Sequence, residues 1–285
     1  MDPARPTAIG PYRLLRPIGR GAMGVVYLAQ DSRTQQHLAL KTLPQPAADD
    51  DPAQQRFLGE VAAARRLSHP DIVALYDAGR HGGTAWLAME LLSGCDLSRY
   101  THRSRLLPEP VVLSVVQRLA RALHHAHAQG VVHRDIKPGN VMLDLSTGRL
   151  KITDFGIAGL ADMSRTRTGV VLGTPFYMAP EQLAGSAADA RSDLYSLGVL
   201  LFQLLSGRLP HENASFGDLL RAVAREPAPD LRSLSPQLSP ALAAVVARAL
   251  DKQPARRQAD AKHLADELAA LQDAGAGMLN AVRGA

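Results

Sequence analysis

Cysteine is nearly absent from this chain. Of its 285 residues only Cys95 carries a thiol, so no internal disulfide can form, and a reducing, cytoplasmic setting is expected. Long apolar runs are missing too. The longest, Leu194 to Leu205, is interrupted by Ser196, Gly198 and Gln203, and falls short of the ~20 residues a membrane helix needs. Met1 to Gly10 lacks the apolar core of a signal peptide. Aromatic residues make up 4% of the chain, with one tryptophan, Trp86. The net charge of +5 could suggest nucleic acid, but the arginines are scattered and no aromatic platform accompanies them, so none is expected. Lysine is scarce as well. Lys41, Lys137, Lys151, Lys252 and Lys262 are all there are, within a Lys plus Arg total of 32. A compact ammonium and a planar guanidinium are not equivalent at a phosphate, so the two lysines inside the motifs below stand out.

The chain has two halves of different character. Tyr12 to Leu43 alternates short apolar runs with turns, the pattern of antiparallel strands. A Pro- and Asp-rich loop, Pro44 to Pro52, leads to a helical pattern over Ala53–Leu67 that Pro70 limits. Ile72–Tyr76 and Ala85–Leu91 read as two further strands. Beyond Gly94 helices dominate, at Glu109–Gln129, Asp193–Ser206, Ser215–Arg225, Ser239–Asp251 and Asp260–Asp273. Asp193–Ser206 is apolar almost all round and is expected to be buried. The expectation is an α+β chain with an N-terminal tail (1–11), a small sheet lobe (12–92), a helical lobe (93–273) and a loose C-terminal tail (274–285).

The chemistry concentrates in His133-Arg134-Asp135-Ile136-Lys137-Pro138-Gly139-Asn140 and, fourteen residues after Asn140, Asp154-Phe155-Gly156. A carboxylate for a hydroxyl proton, a cation for moving phosphate charge and two oxygen ligands for Mg²⁺ suit phosphoryl transfer. Upstream, Gly19-Arg20-Gly21-Ala22-Met23-Gly24-Val25-Val26 fits G-x-G-x-x-G-x-V. Alone it is weak, since dinucleotide-binding folds share it, but those require a helix next. Here a second strand follows. Leu38-Ala39-Leu40-Lys41 fits the V-A-I-K strand, and Gly173 to Glu181 reads G-T-P-F-Y-M-A-P-E. In this order the set resembles the eukaryotic-like (Hanks-type) serine/threonine protein kinases, most closely their bacterial members. The resemblance runs from about Tyr12 to Leu271, and many bacterial relatives carry a membrane helix and sensor region that this chain is not expected to contain.

The resemblance implies a two-lobed protein-kinase fold, ATP with Mg²⁺ (Mn²⁺ as an alternative), and protein substrates with Ser or Thr acceptors. It assigns Asp135 to the substrate hydroxyl, Lys137 to the γ-phosphoryl, and Asn140 and Asp154 to the metal. Lys41 would hold the α- and β-phosphates, paired with Glu60, and Thr174 would contact Asp135 and Lys137. Ile18, Gly19, Gly21 and Gly24 would cover the nucleotide. Val26, Ala39 and Met142 would sandwich the adenine, with Met89 as gatekeeper, Glu90 and Leu92 at its edge, and Asp96 near the ribose; plain core packing explains the apolar members equally well. Asp193 would hydrogen-bond the catalytic-loop backbone, and Arg257, or its neighbour Arg256, would pair with Glu181. Thr166 and Thr168 are the expected autophosphorylation sites, and a homodimer is one arrangement that would let them react in trans. Two rivals are weighed, a nucleotide-binding scaffold without turnover and a small-molecule kinase. Retention of Lys41, Asp135 and Asp154 argues against the first, and Thr174 to Glu181 against the second. His124, His125, His127 and His133 lack the i, i+4 spacing of a helical zinc pair with further ligands, so packed or solvated roles are expected.

Overall fold

Period-two burial organises the first half of the chain. The computed structural model describes residues 7–21, 24–43, 59–81, 84–155, 175–212 and 215–283, with 274–283 as backbone alone. It divides into two compact units, the first holding the described residues up to Ser68 together with Ile72–Gly94.

In the first unit β1 (Ala8–Ile9), β2 (Tyr12–Gly21), β3 (Gly24–Asp31), β4 (His37–Leu43), β5 (Leu75–His81) and β6 (Thr84–Met89) form one antiparallel sheet. Its spatial order is β1-β2-β3-β4-β6-β5. Along β4 the side chains alternate between faces. Leu38 and Leu40 join Ile9, Tyr12, Ala29, Trp86 and Ala88 on one face, while Ala39 and Leu43 join Ala85, Leu87 and Met89 on the other. Helix α1 (59–65) delivers Val61 to the second face. Lys41 shares the parity of Ala39 and Leu43, so it belongs to that face and is 5% exposed. On the first face Tyr12 meets Trp86 edge-on at 5.2 Å and donates its hydroxyl to Asp77 Oδ2 at 3.1 Å. Burial, then the Asp77 charge, pushes the Tyr12 hydroxyl up to about 12.

β5 begins where the pattern predicted a strand to end. Gly79 lies in the part of β5 beyond the predicted strand. A Cβ there would lie 2.7 Å from the Trp86 ring, so the glycine makes the seat for the indole.

The second unit holds His69–Asp71, Cys95–Phe155 and the described residues from Pro175 onward. Its small sheet is β7 (Cys95–Asp96), β8 (Val141–Asp144) and β9 (Arg149–Ile152), in that order. The helices are α2 (Glu109–Ala128), α3 (Pro180–Leu183), α4 (Ala190–Ser206), α5 (Phe216–Arg225), α6 (Leu231–Leu234), α7 (Pro240–Ala249) and α8 (Ala261–Arg283). α4 packs against α2, α7 and α8 and is buried from Ser192 through Phe202, as its all-round apolar sequence requires. Asp189 caps its start through Arg191 N, and Gly207, at φ 72°, ends it.

Three boundaries differ from the sequence expectation. The unit boundary follows Gly94 rather than Leu92. His69–Asp71 belongs to the second unit because Asp71 ion-pairs with Arg118 of α2 and its carbonyl accepts from Ile152 N at 2.8 Å. α8 continues to Arg283, beyond the predicted end at Asp273 and into the segment expected to be a loose tail. Once a helix is nucleated, each added residue contributes a hydrogen bond, and this segment is alanine-rich with no proline. Among the described residues no helix is long and apolar enough to cross a membrane.

Candidate active site

A buried carboxylate shapes the loop that carries Asp135. Asp193, near the start of α4, is fully buried. Its Oδ2 accepts from His133 N at 2.8 Å and its Oδ1 from Arg134 N at 2.8 Å. His127 Nε2, from the end of α2, lies 2.8 Å from Oδ2. These bonds hold Arg134 at φ 67°, a left-handed conformation costly for a side chain of this type. Gln182 of α3 steadies the same residue, donating Nε2 to Arg134 O at 3.1 Å while its Oε1 accepts from Ala179 N at 3.0 Å. His133 is locked in one tautomer. Its Nδ1 accepts from Asp135 N at 3.2 Å, so Nε2 carries the proton and donates to Thr153 O at 2.8 Å. Its ring meets Phe155 edge-on, 4.6 Å between centroids.

Downstream of that frame Asp135 and Lys137 remain partly open, their side chains 21% and 24% exposed. Lys137 Nζ donates to Asp135 Oδ2 at 2.7 Å, and Asn140 Nδ2 donates to the same oxygen at 3.0 Å and to Asp135 O at 2.8 Å. Among the described residues nothing donates to Asp135 Oδ1. The carboxylate is thus fixed by one oxygen with the other available to an incoming hydroxyl.

The β8–β9 hairpin brings the two proposed metal ligands to one end. Val141 pairs with Ile152, so Asn140 and Thr153 are the next residues outward. Thr153 N and Oγ1 both donate to Asn140 O, at 2.9 and 3.2 Å. Asp154 follows at φ 66°. Because both Asn140 side-chain bonds leave through Nδ2, its orientation is set and Oδ1 is the oxygen that could face a metal. An amide oxygen and a carboxylate fit Mg²⁺, which keeps much of its shell for water and substrate phosphate. No cluster of three or more His, Cys, Asp or Glu residues suited to a metal occurs among the described residues.

The first unit presents the phosphate-loop residues. Gly19 faces Val26 across the β2–β3 pair, and Gly21 faces Gly24. Gly24 has φ 118°, and a Cβ there would come within 1.8 Å of Thr42 O. Ile18 is 41% exposed. Val26 packs on the cluster containing Ala39 and Met89, with Leu91 beside it. Glu90 N donates to Ala74 O at 2.9 Å, and Glu90 Oε2 accepts from Ala74 N at 3.2 Å. The Glu90 N–H and carboxylate are thus both engaged with the backbone of Ala74. In the second unit Asp96 pairs in register with Met142 and caps the turn at Leu97–Tyr100, accepting from Ser98 N at 2.9 Å. Ala22, Met23, Thr166, Thr168 and Thr174 lie outside the described residues.

Arg257, rather than Arg256, meets Glu181, donating to both carboxylate oxygens at 2.7 and 2.8 Å. Ser192 Oγ adds a third bond to Oε1 at 2.8 Å. Burial raises the Glu181 carboxyl, but the Arg257 hydrogen bonds and charge outweigh it and hold the group below the usual carboxylate range. His127 and Gln182 escaped sequence reasoning. His127 was one of several helix-end histidines, and Gln182 shows its role only through two backbone partners distant from each other in sequence.

Similarity to known proteins identifies the family. The family model for the protein kinase domain matches residues 12–268. The chain is 40% identical over 263 residues to the serine/threonine-protein kinase Pkn1 of Myxococcus xanthus, covering 90% of this chain and 38% of that protein. It is 40% identical over 272 residues to PknJ of Mycobacterium tuberculosis, covering 93% of this chain and 46% of the other. The chain thus spans less than half the length of these two curated relatives. Among solved structures, the Mycobacterium tuberculosis PknI kinase domain superposes with a TM-score of 0.75 at 32% identity, covering 93% of this chain and 98% of that one. With the loop around Asp135 and the hairpin before Asp154 in place, this match over nearly the whole length shows that the chain belongs to the protein kinase domain family.

Proposed function

We propose that the chain transfers the γ-phosphoryl group of ATP to serine and threonine hydroxyls of proteins. The observation that supports this most is the Asp135 carboxylate, braced through Oδ2 by Lys137 and Asn140 with Oδ1 left to a substrate hydroxyl. Asp135 orients that hydroxyl and accepts its proton as oxygen attacks phosphorus. Lys137 keeps two further N–H donors for the oxygens of the moving phosphoryl. Asn140 and Asp154 hold Mg²⁺, or Mn²⁺ in its place, which supplies charge neutralisation between the phosphates. Lys41, with Glu60 as its partner, positions the α- and β-phosphates. The strands around Gly19, Gly21 and Gly24 cover them, with Ile18 at the start of that cover. Val26, Ala39, Met89, Leu92 and Met142 take the adenine, and Asp96 takes the ribose. Thr174 sets the acceptor platform, and phosphate placed on Thr166 or Thr168 in a trans reaction between two copies regulates the enzyme. The setting we infer is cytoplasmic.

The test is transfer of label from γ-labelled ATP with Mg²⁺ to a generic protein substrate, followed by phosphoamino-acid analysis. Phosphoserine and phosphothreonine, absent with Asp135→Asn, are expected. Nucleotide binding without transfer would overturn the reading.

A further inference from the structure

Among the described residues, one lysine of the second unit makes no ion pair with a carboxylate. Lys252 lies after α7, and its Nζ is 3.0 Å from His211 Nε2 and 3.3 Å from the Tyr195 hydroxyl. It also stands over the Tyr195 ring, 5.5 Å from the centroid, and the Arg257 guanidinium stands over the same ring at 5.0 Å. Asp251 and Glu226 face Lys252 from beyond ion-pair distance, and Asp251 Oδ1 accepts from Gln253 N at 2.8 Å. Arg257, the neighbouring cation, has Glu181 for itself. Lys137 and Lys262 each have an aspartate, Asp135 and Asp266. An ammonium held by an imidazole and a phenol, with a guanidinium nearby, loses the solvation that keeps a surface lysine charged.

We propose that Lys252 is an N-acylation site, a nucleophilic amine that takes acyl groups from acyl phosphates. The neutral amine attacks the carbonyl carbon of the donor. A nitrogen–carbon bond forms, the carbon–oxygen bond to phosphate breaks, and phosphate leaves with that electron pair. The surplus amine proton passes to the phosphate, with His211 Nε2 placed to accept it first. His211 is 8% exposed, and burial, then the Lys252 charge, lowers its imidazole to about 4, so at neutral pH it offers a lone pair. Burial first and Arg257 second bring the Lys252 amine down to about 8, against the upward pull of Glu226 and Asp251. The product amide carries no charge, so acylation removes one of the two cations over Tyr195, beside the Arg257–Glu181 pair. This assignment stands independently of the kinase reaction.

The experiment treats the intact wild-type protein with acetyl phosphate at pH 7.5 and follows each lysine by peptide mass spectrometry. At that pH roughly a quarter of an amine titrating near 8 is neutral, against about one in a thousand of an ordinary lysine. Partial burial slows access, so Lys252 is expected to react about tenfold or more faster than exposed Lys262, whose amine Asp266 keeps charged. The Lys252 rate should level off above about pH 8 while that of Lys262 keeps rising. His211→Asp, which supplies the missing carboxylate, should slow Lys252 about tenfold and leave Lys262 unchanged. Equal rates at Lys252 and Lys262 in the wild-type protein at pH 7.5 would overturn the assignment, whether or not the variant folds.

Discussion

Replacing Asp193 by Asn removes a charge and one acceptor while leaving shape almost unchanged. The carboxylate accepts from His133 N, Arg134 N and His127 Nε2, all at 2.8 Å. The Asn amide keeps one oxygen and turns an NH₂ toward either the Arg134 N–H or the His133 and His127 donors. At least one bond to a charged acceptor is lost, about 1.5–3 kcal/mol, and a buried donor stays unsatisfied, about 1–3 kcal/mol more. The left-handed Arg134 also loses part of what holds it, and Asp135 is the next residue. We expect a loss of about 3 kcal/mol in stability. A fall in kcat of about 10² should accompany it, the scale of an ångström-sized misplacement of a reacting group. Urea unfolding followed by fluorescence, with steady-state kinetics under conditions where the variant is fully folded, measures both. If Asp193→Asn stayed within about 0.5 kcal/mol of wild type at undiminished kcat, the carboxylate would not be the organiser of this loop.

Other substitutions test the remaining parts. Asp135→Asn should keep nucleotide binding, read by calorimetry, and lower turnover by about 10² to 10⁴; wild-type turnover would remove Asp135 from the chemistry. Lys41→Met should nearly abolish transfer with the fold intact by circular dichroism. Gly24→Ala should cost several kcal/mol or prevent folding, since its Cβ would overlap Thr42 O at 1.8 Å and its φ is 118°; Gly21→Ala, which meets nothing within 4 Å, should be mild by comparison in thermal melts. The Glu181 carboxyl titrates lower folded than unfolded. Its contribution is therefore complete above the ordinary carboxylate range, about pH 4.3, and is lost as pH falls through that range toward the folded value. Glu181→Gln should be less stable at neutral pH and show a shallower acid decline in urea midpoints.

The parts of the site legible in the sequence are those contiguous in the chain. Asp135, Lys137 and Asn140 are in one loop, so spacing alone groups them. Asp193 and Arg257 could be placed because each occupies a recognisable position in a motif. The Asp135 bracing was not legible, because which oxygen Lys137 and Asn140 engage depends on side-chain torsions. His127 and Gln182 were missed because their partners, Asp193 and Arg134, are 66 and 48 residues away. In the fold, α2 and α4 follow from apolar periodicity, and α4 is buried as expected. The strand over Leu75–His81 was misplaced because the packing role of Gly79 shows only against the Trp86 ring.

His69–Asp71 makes the architecture non-modular along the chain. The polypeptide leaves the first unit, contributes three residues to the second, returns, and leaves again after Gly94. A fragment starting at Cys95 would therefore lack Asp71, leaving Arg118 without its carboxylate and Ile152 N–H without its acceptor, just ahead of Asp154. Chimeras that exchange lobes at a single junction inherit this mismatch unless residue 71 and residue 118 are exchanged together. The two units are compact in space, but the gene offers no single point at which to separate them.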